Sequence, residues 1–211
     1  MNHGLFPVNG YMHKSKFSKW LKPGLVIILS LALISCEPAR SPPQIEWQAP
    51  GFEIAETNAQ AFRYPQSLKG PTIVFFWATW CPYCKALMPH LQSIVDEYRG
   101  RVQVLALNFR DDDDPAAYLA ERGYDFRLIL HSEDVAESWG VKGTPGLFLA
   151  DQSGRVVFSR GAIPKEAYHG DPSENEQELK HYQKAARSAP FWAAQLRIAI
   201  DQLLEERTAA E

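Results

Sequence analysis

The sequence predicts an α/β fold in which a central mixed sheet is flanked by helices. Six apolar or β-branched residues, Thr72 to Trp77, are typical of a buried strand, and apolar residues at helical spacing follow them. A second buried strand is predicted over Val102 to Leu107. Two more strands, Gly146 to Ala150 and Arg155 to Ser159, flank a turn and form a hairpin. This alternation of strands and helices, closed by a hairpin, favours the α/β class.

Four consecutive aspartates, Asp111 to Asp114, follow the second strand. We expect a solvated loop that also supplies the N-cap of a helix over Pro115 to Arg122. A metal-binding loop is the alternative, but the spacing and the glycine of an EF-hand are absent. A short strand, Phe126 to Leu130, and a short helix, Val135 to Trp139, come next.

Composition and charge restrict the class of protein. The 211 residues allow one domain with additions, and 45% hydrophobic and 22% charged residues are ordinary for a globular protein. Three cysteines are too few for a disulfide framework. The net charge is −3, but four lysines are the only charged residues before Cys36, which leaves 18 basic against 25 acidic residues. This acidic remainder argues against nucleic acid as a partner.

The first 35 residues have the layout of a secretory signal peptide. Four lysines precede an uncharged run, Gly24 to Ser35, that is too short to span a membrane comfortably. Leu33-Ile34-Ser35-Cys36 resembles the bacterial lipobox, in which the cysteine is lipidated and becomes the mature N-terminus. The alternative is an uncleaved anchor with Cys36 incidental. Translation starts at Met1 or Met12, and Met12 would open a more typical signal. Residues 36–43 are expected to be an extended tether.

A Cys-x-x-Cys motif lies where the predicted central strand passes into a helix. Cys81 is at the helix start, where unsatisfied N–H groups and the helix dipole favour a thiolate. Cys84, one turn later, is close enough to attack a mixed disulfide formed on Cys81. A zinc site uses the same spacing but needs two further ligands, and none appear at similar spacing. We therefore predict a redox pair and no metal.

Two segments carry a resemblance to a known family. Phe76-Trp77-Ala78-Thr79-Trp80-Cys81-Pro82-Tyr83-Cys84-Lys85, with Pro89 downstream, resembles the active-site segment of the thioredoxin superfamily. It is most similar to the membrane-tethered, extracytoplasmic TlpA/ResA-like thiol-disulfide oxidoreductases. Gly143-Thr144-Pro145-Gly146 is the second family mark. The resemblance covers roughly residues 44–161.

The resemblance implies a thioredoxin fold with an N-terminal hairpin, to which Phe52, Ile54 and Phe62 would belong. Pro145 would be a cis-proline. With Thr144 it would shape a groove for an extended client, and Trp80, Pro82 and Tyr83 would flank the dithiol. No cofactor is implied beyond the redox-active disulfide.

Two acids typical of such proteins are missing. The buried aspartate that thioredoxin has in its central strand is replaced by Phe75. The glutamate that TlpA/ResA-like proteins often have three residues after the second cysteine is replaced by Leu87. Deprotonation of Cys84 therefore needs water or a residue distant in sequence.

Beyond Gly161 the resemblance loosens. A polar insert is expected over 169–190, with a mostly solvated helix from Glu174 to Arg187, before a last helix from Phe191 to Glu206. The thioredoxin-like domain would thus occupy 44–211. A C-terminal helical insertion of this kind either has no binding role or serves as a docking surface for a partner.

We therefore expect an envelope lipoprotein, facing the periplasm from the inner or outer membrane, that exchanges disulfides with exported protein clients as a reductase. A membrane partner would recharge Cys81 and Cys84. One alternative is a copper-handling metallochaperone, which the two-residue spacing disfavours. Another is a non-catalytic thioredoxin-fold lipoprotein, against which the intact motifs argue.

Overall fold

The computed structural model describes residues 42–43, 45–54, 61–164 and 178–210 of the chain. The expected signal peptide, the lipidation site Cys36 and most of the tether lie outside these residues and stay predictions. Residues 169–177, the first part of the expected insert, also lie outside the described residues.

The described chain alternates short strands with helices. The strands are β1 (Trp47–Gln48), β2 (Phe52–Ile54), β3 (Phe62–Tyr64), β4 (Thr72–Trp77), β5 (Gln103–Asn108), β6 (Arg127–Ile129), β7 (Gly146–Ala150) and β8 (Arg155–Ser159). The helices are α1 (Pro82–Glu97), α2 (Pro115–Glu121), α3 (Glu133–Ser138) and α4 (His181–Ala210), and a 3₁₀ turn spans Arg160–Ala162.

Six strands form a mixed sheet in the order β1-β8-β7-β4-β5-β6. Strand β4 pairs in parallel with β5 and antiparallel with β7, which places it in the middle of the sheet. Strands β2 and β3 form a separate antiparallel hairpin. The predicted thioredoxin fold and its N-terminal hairpin are therefore confirmed. Strands β7 and β8, which were predicted as a second hairpin, have the predicted bounds.

Strand β4 is buried on both faces, because each face is covered by a different apolar layer. Ile73, Phe75 and Trp77 belong to the core shared with α1 and α4. The alternate residues Val74 and Phe76 belong to a second core on the opposite face. That second core is rich in aromatic rings, with Trp139 in contact with the rings listed here: Trp47, Phe52, Tyr64, Phe76 and Phe148.

The C-terminal helix differs from the prediction. A solvated helix that ends at Arg187 and a second helix that starts at Phe191 were expected, but α4 runs without interruption from His181 through Pro190 to Ala210. Ala185, Ala189 and Trp192 are buried in or beside the core that α1 also contributes to. The free energy gained from this burial offsets the cost of the one helix hydrogen bond that Pro190, which has no N–H, cannot donate. Residues 181–190 are therefore part of the core-facing helix.

The turn between β7 and β8 depends on a glycine. Gly154 has a φ of +85°, and a Cβ placed there would lie 2.5 Å from Cβ of Pro65. Its carbonyl oxygen accepts a hydrogen bond of 2.8 Å from the buried Tyr64 hydroxyl. The turn and the segment after β3 therefore meet at a point where no side chain fits.

We expect Gly154→Ala to lower the free energy of unfolding by about 2–4 kcal/mol, from left-handed backbone strain together with overpacking. Gly140→Ala is the matched control, since its φ is +69° but nothing lies within 4 Å of the added Cβ. It should cost only about 1–2 kcal/mol. Urea unfolding measures both, and equal losses would show that the contact with Pro65 is unimportant.

Candidate active site

The two motif cysteines lie at the junction of β4 and α1. Cys81 is the N-cap of α1, and its sulfur accepts a 3.1 Å hydrogen bond from the backbone N–H of Cys84. The two residues form a disulfide, with their Cα atoms 5.3 Å apart. Pro82 occupies the first turn, where its missing N–H costs no helix hydrogen bond. The local sequence therefore fixes both sulfurs at the helix start.

The two cysteines are both buried and share an apolar environment. Cys81 is 2% exposed and Cys84 is 0% exposed, and both belong to the core shared by α1 and α4. Phe75 and Leu87, which replace the two family acids, are buried in the same core. Both cysteines are therefore shielded from water, and apolar surroundings disfavour a charged thiolate.

The predicted flanking residues lie around this junction. Trp80 is 57% exposed, and its indole N–H donates a 2.7 Å hydrogen bond to the carbonyl oxygen of Arg110. Pro82 and Tyr83 are half-buried. The ring of Tyr83 meets that of His181, at the start of α4, edge to face with centroids 6.5 Å apart. Their roles in client binding stay predictions.

The Thr144–Pro145 peptide is cis, as the resemblance implied. In the β4–β7 pairing Phe76 lies opposite Gly146, so Pro145 comes level with the end of β4. Pro145 is buried and Thr144 is half-buried. The proline loop is thus held at the edge of the sheet from which the cysteine segment emerges.

Asp111 is a site residue that the local sequence pattern does not reveal. The expectation of a solvated loop is wrong for it, because its carboxylate accepts hydrogen bonds from the backbone N–H and the hydroxyl of Thr79 and from the side-chain amide of Asn108. Asp113 also contacts the Thr79 hydroxyl, at 2.8 Å. The expected N-cap is confirmed, with Asp114 accepting from the N–H of Ala117 at 2.9 Å, and Asp112 to Asp114 are exposed as expected of a solvated loop.

This network anchors the segment directly before Cys81. Burial alone would raise the pKa of Asp111, but the hydrogen bonds from Thr79, Asn108 and the Asp113 N–H outweigh burial and hold that pKa below its usual value. One signal could have revealed the contact. Asn108 pairs with Trp77 in the register of β4 and β5, so the aspartate loop must leave the sheet beside the cysteine segment.

In the described part of the chain, no group of three or more His, Cys, Asp or Glu residues is arranged to hold a metal ion. Nor does any described helix combine the length and apolar character needed to cross a membrane.

We expect Asp111→Ala to lower the free energy of unfolding by about 1–3 kcal/mol at pH 7, because Thr79 and Asn108 lose their charged acceptor. Because the pKa of Asp111 is lower in the folded than in the unfolded protein, its carboxylate stabilises the fold fully above the unfolded pKa of about 3.9. This contribution is lost as the pH falls through the lower pKa of the folded state. The difference between wild type and variant should therefore shrink below about pH 4.

Asp112→Ala is the matched control, since Asp112 is the exposed neighbour in the same loop. It should change stability by less than about 0.5 kcal/mol. Chemical denaturation at pH 7 and pH 3 measures all three proteins. Equal effects of the two substitutions at pH 7 would contradict the anchoring role.

Comparison with known proteins agrees with this geometry. The model of the AhpC/TSA family matches residues 45–159. The thiol:disulfide interchange protein DsbE homolog of Paracoccus denitrificans is 34% identical over 103 residues, which are 47% of this chain and 55% of that protein. The thiol-disulfide oxidoreductase ResA of Geobacillus thermodenitrificans is 29% identical over 122 residues, covering 56% of this chain and 70% of that protein.

A solved structure supports the fold alone. It is that of an uncharacterized conserved protein from Geobacillus kaustophilus, with a TM-score of 0.55 and 21% identity, covering 79% of this chain and 89% of that one. The family model spans more than half of the chain and contains both cysteines and the cis-proline. The chain therefore belongs to the AhpC/TSA family, as a thioredoxin-like oxidoreductase of the thiol-disulfide type.

Proposed function

We propose that the protein is a membrane-anchored envelope reductase that transfers electrons from the Cys81–Cys84 dithiol to disulfides of exported protein clients. The observation that carries the thiol-disulfide exchange is the position of Cys81 as the N-cap of α1, with the Cys84 N–H donating to its sulfur. A thiolate at this sulfur would receive the same hydrogen bond and the helix dipole. Cys81 is therefore the attacking nucleophile.

The first step forms a mixed disulfide. The thiolate of Cys81 attacks one sulfur of a client disulfide, a new S–S bond forms between Cys81 and that sulfur, and the other client sulfur leaves as a thiolate. The leaving thiolate takes a proton from solvent. The N-cap position of Cys81, where the Cys84 N–H donates to its sulfur, favours this order of attack.

The second step releases the client. Cys84 loses its proton and attacks the sulfur of Cys81, which forms the enzyme disulfide and expels the second client sulfur as a thiolate. Two electrons have then passed from the enzyme to the client. The one-turn separation of the cysteines, with Cα atoms 5.3 Å apart, makes this step intramolecular.

The reducing direction is supported by the apolar burial of both sulfurs. Removal of water raises the free energy of a thiolate but costs a neutral disulfide little. The enzyme disulfide is therefore favoured over the reduced pair, which makes the dithiol a good electron donor. A membrane redox partner would return the two electrons after each cycle.

The client groove is proposed on the side where Pro145 and Thr144 come level with the end of β4. An extended client segment would lie along this loop, with Trp80 and Tyr83 flanking its cysteine. Trp80 has the exposed surface for such a contact, and its hydrogen bond to Arg110 fixes its orientation. Protein clients rather than small thiols suit this exposed aromatic surface.

The location in the envelope is proposed from the leader sequence. The lysines and the apolar run before Cys36 are typical of a secretory signal, and the lipobox-like segment would place a lipid on Cys36. The chain would then stand on the periplasmic side of a membrane, attached through the proline-containing tether.

We expect Cys84→Ala to accumulate a mixed disulfide with client proteins, because Cys81 can still attack but nothing resolves the bond. Non-reducing gels should show adducts that a reductant dissolves, and mass spectrometry should locate the client bond on Cys81. The full chain should be expressed in its own envelope for this test.

Cys81→Ala is the matched control, since it keeps the buried Cys84 and the same fold. It should trap less than about a tenth of the adduct, since the N-cap nucleophile is lost and Cys84 is fully buried. Equal trapping by the two variants, or trapping by neither, would contradict the proposed function.

A further inference from the structure

Arg160 lies where three segments of the active-site region converge. It opens the 3₁₀ turn that follows β8. Its Nη1 donates to the carbonyl oxygen of Pro145 at 3.5 Å, and its guanidinium carbon lies 4.7 Å from the centroid of the Trp192 ring on α4. It also interacts electrostatically with Tyr83, between the two cysteines. One side chain thus links the proline loop, the motif and the last helix.

The charge of Arg160 is buried, and the residues that the structure describes offer it no carboxylate partner. Among the residues that the structure describes, no carboxylate forms an ion pair with Arg160, and its buried Nε has no hydrogen-bond acceptor. Burial lowers the pKa of Arg160, and Tyr83 raises it to a smaller extent. A guanidinium nevertheless stays protonated. Stacking on Trp192 recovers part of the cost of burying this cation.

A buried cation with no carboxylate partner among the described residues acts on any anion that forms near it. Its field extends further where burial excludes water than it would at the surface. The anion that the reaction cycle creates here is the thiolate of Cys81, two residues before Tyr83. Trp192, on which Arg160 stacks, belongs to the same core as both cysteines.

We infer that Arg160 is a positioning residue with two tasks: it holds the carbonyl of Pro145 in the client groove, and its charge stabilises the reduced state of the dithiol. This inference rests on the proposed function, because it assigns a role within that site. It goes beyond the cysteines and the proline loop, since it makes a residue after β8 part of the redox centre.

The sign of the effect follows from the half-reaction. Reduction of the disulfide adds two electrons, and with Cys81 ionised it adds one proton, so the reduced enzyme carries one negative charge more. A nearby cation favours that product. Removal of the cation should therefore shift the equilibrium with glutathione toward the enzyme disulfide and make the dithiol a stronger reductant.

The test is the equilibrium constant with glutathione for Arg160→Gln, which removes the charge. We expect a shift of about threefold to tenfold toward the enzyme disulfide; a tenfold shift corresponds to about 30 mV. The pKa of the Cys81 thiol, measured from the pH dependence of alkylation, should rise in parallel. Arg160→Lys keeps a positive charge, so its equilibrium constant should lie close to that of wild type. Arg160→Met gives a second reading if the glutamine variant does not fold.

Arg155→Gln is the matched control, at the other end of β8, where the arginine pairs with Asp151 and Glu46. It should leave the equilibrium constant unchanged. If Arg160→Gln folds and its constant equals that of wild type, or if Arg160→Lys behaves like Arg160→Gln, the inference is overturned. The proposed function fails separately, through loss of the adducts in Cys84→Ala.

Discussion

The structure depends on one constraint: the most buried strand must end, and the main helix must begin, at Cys81. Strand β4 is covered on both faces, so the chain that leaves it emerges from the centre of the molecule. Helix α1 starts there, and its exposed N–H groups have to be satisfied. The Cys84 N–H finds the sulfur of Cys81, so the same hydrogen bond that caps the helix also places the reactive atom. Stability and chemistry therefore share one contact.

Opposing effects act on that sulfur. Apolar burial disfavours a thiolate, whereas the helix N-terminus and the charge of Arg160 favour one. A carboxylate is also held beside this segment, because Asp111 accepts a hydrogen bond from Thr79, two residues before Cys81. The hydrogen bonds to Asp111 stabilise its negative charge and lower its pKa. We infer that the balance of these effects, rather than an acid at Phe75 or Leu87, sets the redox behaviour of the pair.

Local patterns predicted most of the fold, because the central strands and α1 have unambiguous periodicity. The cysteine pair and the cis-proline loop were also found from short motifs. Asp111 and Arg160 were not, since each acts through residues distant in sequence and carries no local signal. The helix break expected at Pro190 was wrong for a related reason: burial of Ala189 and Trp192 against the core outweighs a local preference that the sequence shows clearly. Tertiary contacts, which no short stretch of sequence reveals, determine all three features: the contacts of Asp111, the contacts of Arg160 and the continuity of α4.

The most direct test of the account is the equilibrium redox potential of the Cys81–Cys84 pair, measured in the protein from Glu37 onward, which lacks Cys36. Apolar burial of both sulfurs predicts a reducing pair with a potential near that of thioredoxin, about −270 mV. A potential near about −120 mV, that of a strong disulfide donor, would contradict the reductase assignment and show that stabilisation of the thiolate dominates the site.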